Sequence, residues 1–410
     1  MSNNQTVSRR TLLPVSLRVA VLFIAVAALV LKIYCAATTF GCDDVVLCFC
    51  FGKYIDAHGL IGVYQYAEFF NHTPLVGSFF RFIYQLSGPD HELFPFYLRL
   101  PGIIADFLAV LALIRFRERT GKPPWWALAL FAASPVSFMV SGFHGNVDPI
   151  LVLFLVLGAC ACAESRPLLC GLFFGLACNI KIVALLLSPV FFFYWLHRGK
   201  AVQFAGLTIL MTLAGWSVPL LCVPVIFLKD VLGYSSIWGS WGITYWLEKT
   251  GTVEGQKASA LFLHHSQVVI GLLKLVIISS TLWIAWRRRT VYGPQIFNSI
   301  AYVWIFFFVF APGIAPQYMV WLAPFILVFS ARWYLALTAA TSVFLFMFYN
   351  TISRGMPWDR GMCDDRLTHL WIPWTNLPWA VLIACLFFLA LTSSSRFRRP
   401  ASGQSDGCYR

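Results

Sequence analysis

The sequence predicts an all-α integral membrane protein of about twelve transmembrane helices, with interfacial helices in the loop after the first span. Three observations predict it. Of the 410 residues, 59% are hydrophobic and 11% charged, whereas soluble domains run nearer half apolar and a quarter charged. The apolar residues gather in runs, several close to the ~20 needed to cross a ~30 Å hydrocarbon core. The excess of Lys and Arg, a formal charge of +13, collects at alternate ends of those runs, as retention of cations on the cytoplasmic side requires. The charge is therefore a topological signal, and nucleic acid is excluded as a partner.

Val15–Ala37 opens the series. It exceeds the apolar core of a signal peptide, about 7–15 residues, and reads as an uncleaved helix. The later runs are Phe94–Ile114, Trp125–Ser141, Pro149–Cys162, Leu168–Leu196, Val202–Phe227, His265–Trp286, Ile296–Ala311, Val320–Phe329, Trp333–Tyr349 and Leu377–Thr392. Leu168–Leu196 reads either as one long tilted helix or as two short ones around Asn179-Ile180-Lys181. Parity favours two. The clusters RFRERTGK (115–122), HRGK (197–200), WRRR (286–289) and RFRR (396–399) then share one side with Arg9 and Arg10. On that topology 18 of the 30 cations are cytoplasmic, with only three of the 17 acids: Glu118, Glu164 and Asp406.

The expected organisation is a single polytopic domain over residues 1–410, with both ends cytoplasmic. A first outer loop covers 38–93, a late outer loop 350–376, and a cytoplasmic tail 393–410. Within the first loop Val45–Phe51 is too short to span and suits an interfacial helix. Most of the twelve Cys lie in apolar runs, where they act as small hydrophobes. A Cys42–Cys363 bridge between outer loops is conceivable on this topology, but sequence does not fix its geometry.

The stretch TTFGCDDVV (38–46) puts two adjacent carboxylates, Asp43 and Asp44, where the first span ends. Capping of the next helix would explain them; so would acid–base work. SGFHGNVDP (141–149) brings His144, Asn146 and Asp148 to the same face, either as a Gly turn with an Asp cap before Pro149 or as contacts for a polar substrate. As a metal site one His and one Asp fall short of a ligand set. Lys181 is costly at membrane depth, by about 2.5–3.5 kcal/mol on insertion scales. It needs a partner, for which Asp106 is the candidate, or an anion. APGIAPQYMVW (311–321) breaks the chain before Gln317 and Tyr318, and broken backbone at depth is tolerated where it lines protein or water. SRGMPWDRGMCDD (353–365) adds Arg354 in a mixed-charge outer segment.

These residues resemble the GT-C superfamily of polytopic glycosyltransferases. The resemblance is carried by Asp43-Asp44, HGL (58–60), FNHTPL (70–75), RLPGIIAD (99–106), SGFHGNVDP (141–149), GLACNIK (175–181) and APQYMVW (315–321). It is closest to the mannosyl- and glucosyltransferase branches, which use polyprenyl- or dolichyl-phosphate sugars. It implies a first-loop acid as catalytic base, for which Asp44 stands best and Asp43 second. His144, Asn146, Asp148, Lys181, Gln317, Tyr318 and Arg354 are then the expected substrate-binding set. The two acids are adjacent, not acid-x-acid, so a divalent cation stays an open question and no other cofactor is expected.

The chemistry stands beside the resemblance. Inverting transfer of a hexose to an acceptor hydroxyl needs one ionised carboxylate to take the acceptor's proton. The leaving lipid phosphate needs cations and hydrogen-bond donors at the membrane surface; Lys181, Arg354, His144 and Gln317 are available. The expected partners are a lipid-linked sugar donor, a glycan, lipid or polymer acceptor, and membrane lipids. The expected location is a bacterial inner membrane or an ER membrane, with the site facing periplasm or lumen. The rival reading is a polytopic secondary transporter or a lipid-linked sugar flippase. It would concentrate ionisable residues at the midplane in matched repeats, and no repeat is visible here.

Overall fold

The computed structural model describes residues 5–67, 69–234, 236, 239–251 and 258–397. Among them the protein is helical, apart from one pair of two-residue strands. Nine helical segments are long and apolar enough to cross a membrane: Ser16–Thr38, Asp43–Tyr66, Phe94–Thr120, Trp125–His144, Ala201–Cys222, Ser266–Arg287, Gly293–Phe310, Ala331–Ile352 and Asp365–Leu391. Four shorter apolar segments accompany them: Asp148–Ala163, Pro167–Ile180, Ile182–His197 and Pro316–Phe329. The protein is thus a multi-pass integral membrane protein. The end of the tail, 398–410, lies outside the described residues.

Large apolar side chains such as Phe23, Val202, Leu221 and Phe387 point outward, which suits a molecule whose solvent is lipid. The centre is filled by aromatics, with Trp195, Trp241, Trp304 and Trp321 all buried. Glu164, at the end of Asp148–Ala163, gathers Arg115, Arg119 and Arg166. Helix ends follow local chemistry. Phe94–Thr120 carries Arg117 and Arg119 in its last turn and stops at left-handed Gly121 (φ 76°), so cations meet the negative end of the helix dipole and Gly supplies the turn.

Three departures from the sequence reading bear on the site. The helix after the first span is longer than Val45–Phe51: it runs Asp43–Tyr66, interrupted at Gly59 (φ 76°), and packs on Pro74–Leu86. Asp106 pairs with Lys32 at 2.8 Å and not with Lys181, because its helix packs on the first one. Cys42 and Cys363 are free thiols; the Cys42 sulfur is turned to His144. The ambiguous run is divided where parity placed the break. Pro167–Ile180 stops, Lys181 is extended (φ −151°, ψ 132°), and a 3-10 turn Ile182–Leu187 leads into Ser188–His197.

Candidate active site

Four chain breaks meet around the start of Asp43–Tyr66. Trp125–Ala132 continues through Pro135–Ser137 into a π-helical stretch, Phe138–His144, ended by Gly145 (φ 89°). Such widened turns recur at functional sites. Two glycines permit the approach. A Cβ on Gly41 (φ 99°) would lie 2.8 Å from the Phe143 carbonyl oxygen, and one on Gly145 would lie 2.6 Å from Val45 Cγ2. Buried Arg99 ties the pieces together. Its guanidinium donates to the Pro95, Ala36, Thr39, Gly142 and Phe143 carbonyls and to Thr39 Oγ1. An Arg spent on carbonyls at the end of the first span fixes where Asp44 begins.

Asp44 is the hub. Its Oδ2 accepts from Asn146 Nδ2 at 2.5 Å, His144 Nε2 at 3.0 Å and Gln317 Nε2 at 3.1 Å. Three donors on one oxygen match an ionised carboxylate. The side chain remains 28% exposed, so Oδ1 is the oxygen left for a substrate. Asn146 also accepts the Val147 N–H through Oδ1, which fixes its amide. The Gln317 amide is fixed by chemistry, because a carboxylate can only accept. Its Oε1 is left buried with no partner among the described residues.

A second cluster adjoins the first. Lys181 Nζ lies 2.9 and 3.1 Å from the two oxygens of fully buried Asp148. Trp321 Nε1 donates to Asp148 Oδ1 at 2.5 Å. The ammonium sits 4.3 Å from the Tyr318 ring centroid and 5.2 Å from that of Trp321, and those rings stack at 4.1 Å. Both Asp148 oxygens are thus satisfied, and breaking such a pair from one side costs about 3–5 kcal/mol. Lys181 keeps an 18% exposed side chain, and its charge reaches Asp44 and His72. Burial, with Lys181 second, holds the His72 imidazole down to about 4.

Of the residues expected from sequence, Asp44, His144, Asn146 and Gln317 converge on one oxygen, and Asp148, Lys181 and Tyr318 form the adjoining cluster. Asp43 faces elsewhere. Its Oδ2 accepts the Cys363 N–H at 2.5 Å, beside the parallel pairing of Gly41-Cys42 with Arg360-Gly361, so it anchors the late outer loop. Arg354 is exposed, with φ 58°, and makes no contact with either cluster among the described residues. Gln317 spends its donor on Asp44 and turns a carbonyl inward, which suits a hydroxyl and repels a phosphate. Sequence reading passed over Arg99, His72, Trp321 and Tyr349. The first three stood inside quoted segments; Tyr349 looked like an aromatic at the end of a span.

Cys42, Asp44 and His144 are close enough to suggest a metal site, but the donors do not converge. Cys42 Sγ is 3.3 Å from His144 Nδ1, while Asp44 Oδ2 is 3.0 Å from Nε2. They flank opposite nitrogens of one ring, and a hard divalent cation wants oxygens. This set does not fit a hard, oxygen-seeking divalent cation.

A many-spanning helical protein with an acid clamped at the head of its first loop is similar to the GT-C class of polytopic glycosyltransferases. More particularly, residues 71–197 match the MptA/B family, described as alpha-(1->6)-mannopyranosyltransferase, N-terminal domain. The chain is accordingly a membrane hexosyltransferase of mannosyltransferase type. The matched segment holds His72, Arg99, His144, Asn146, Asp148 and Lys181 and begins after Asp44. No curated protein matches the chain.

Proposed function

We propose that the protein transfers a mannosyl group from a polyprenyl-phosphate donor to a sugar hydroxyl, with inversion, on the non-cytoplasmic face. Asp44 Oδ1 takes the acceptor's proton as the acceptor oxygen bonds to the anomeric carbon. The bond from that carbon to the phosphate oxygen breaks, and its electron pair leaves with the lipid phosphate. The observation that supports this reading is the triple-donor clamp on Asp44 Oδ2, which leaves Oδ1 of this 28% exposed side chain without one of those donors. Lys181, aligned by Asp148 and Trp321, is the cation that meets the phosphate. By the family description, the acceptor hydroxyl is a primary one and the new linkage α-(1→6).

The topology proposed with it has twelve crossings. Asp43–Tyr66 is placed along the outer surface in this topology, because it starts at the site and is interrupted at Gly59, and the Arg-bearing end of Phe94–Thr120 then falls inside. The four shorter segments count as crossings, as their breaks face one site. Asp44 then lies opposite the Arg clusters. The test is transfer of radiolabelled mannose from polyprenyl-phosphate mannose to an alkyl mannoside in membranes, with linkage analysis of the product. Asp44→Asn should lower turnover about 10²–10⁴-fold with expression unchanged; wild-type turnover in that variant would sink the reading.

A further inference from the structure

Tyr349 lies near the end of Ala331–Ile352, fully buried, with its hydroxyl 3.0 Å from His144 Nδ1. The other nitrogen of that ring faces Asp44 Oδ2. A neutral imidazole donates at one nitrogen and accepts at the other. Asp44 as a carboxylate has no proton to give, so in the neutral ring Nε2 must carry the hydrogen and Nδ1 must accept one. The Tyr349 phenol is the donor suited to that. Cys42 is not: its thiol donates to the His144 carbonyl at 3.1 Å, leaving sulfur lone pairs toward Nδ1 at 3.3 Å. By itself that sulfur would accept from an Nδ1–H and favour the opposite tautomer. With that tautomer an Nε2 lone pair would face the carboxylate oxygen, and Asp44 would lose one of its three clamps. Tyr349 is in turn held by Phe143 at 5.4 Å and Trp358 at 5.5 Å between ring centroids, so its hydroxyl has little freedom to turn away.

We propose that Tyr349 is a positioning residue for transfer: its hydroxyl sets the tautomer of His144 and thereby the aim of Asp44. This rests on Asp44 being the base. The hydroxyl acts on the geometry of proton removal and touches no substrate, so its loss should appear in turnover and not in donor affinity.

The experiment is a double-mutant cycle on the full-length protein. Tyr349→Phe should lower kcat about 10-fold, with the KM for polyprenyl-phosphate mannose changed less than about twofold. His144→Gln places an amide N–H near the former Nε2–H and has no tautomer to set. In that background Tyr349→Phe should cost less than about twofold. An equal loss in both backgrounds, or no loss in either, overturns the proposal. Thermal unfolding of each variant in detergent checks that the fold is kept. Asp44→Asn run alongside separates two failures: if it is active, the underlying reading falls and takes this one with it, and if it is dead while Tyr349→Phe is silent, only the tautomer proposal falls.

Discussion

Two neighbouring acids at the head of one helix cannot share a task, since consecutive residues point about 100° apart. Asp44 turns to His144, Asn146 and Gln317, whereas Asp43 turns to the Cys363 N–H. The first is the base of the proposed transfer; the second holds the 360–363 segment. That division was not legible in the pair DD, because direction comes from where the helix starts, and Arg99 sets that from another segment. His72 shows a different residue-scale effect. Its folded value of about 4 lies below the ordinary 6.5, with burial the first cause. An unfolded His72 takes up a proton below 6.5, and the folded one resists until about 4. Stability is therefore lost as pH falls through that window, because the unfolded state binds more protons. Replacing His72 with Leu should flatten the acid-side decline of the melting temperature between pH 6.5 and 4. An unchanged slope in detergent melts would show that His72 does not carry it.

At the scale of elements, the informative parts are breaks in helices: Lys181 after Ile180, Gly145 after the π-helical turn, and 311–315 before Pro316. A buried pair joins two of them, since Lys181 and Asp148 approach from different helices. We expect Lys181→Met alone to destabilise the protein, because it leaves Asp148 buried without its cation. Lys181→Met with Asp148→Asn should recover most of the melting temperature while the apparent donor KM stays raised. A double variant with wild-type donor KM and turnover would make the pair purely structural. Much of this was legible in the sequence. Charge parity located the break at Lys181, and Pro312, Gly313 and Pro316 marked the other. The partner of Lys181 was not legible. Asp106 and Asp148 are both acids near span ends, and only packing distinguishes them: Asp106 faces the first helix and Lys32, whereas Asp148 faces Lys181 and Trp321. Tyr349 was hidden for the same reason, as nothing local separates an aromatic that closes a site from one that anchors a span.

At the scale of the molecule, the proposed lipid-linked donor would account for the architecture: the isoprenoid would stay in the bilayer while the sugar phosphate reached a site at its edge. That demands Asp44, the Lys181 break and the late outer loop on one side, with the Glu164 arginine cluster on the other. The segment that tests this arrangement is Asp43–Tyr66, apolar and long enough to cross. If it crossed, Tyr66 would lie on the cytoplasmic side, and Pro74–Leu86 would have to return for the Arg-bearing end of Phe94–Thr120 to stay inside. If it lies along the outer surface, Tyr66 stays outside. Tyr66 is 74% exposed, so a cysteine there would be reachable. In a background with exposed Cys50, Cys222 and Cys363 and the tail's Cys408 changed to Ala, Tyr66→Cys should react with an impermeant maleimide from the outer side of intact cells. Lys200→Cys, in the inner turn before Ala201–Cys222, should react only after the membrane is opened. Protection of Tyr66→Cys until lysis would turn the first loop inward and remove Asp43–Tyr66 from the outer surface. Outside labelling of Lys200→Cys would invert the protein and place Asp44 in the cytoplasm.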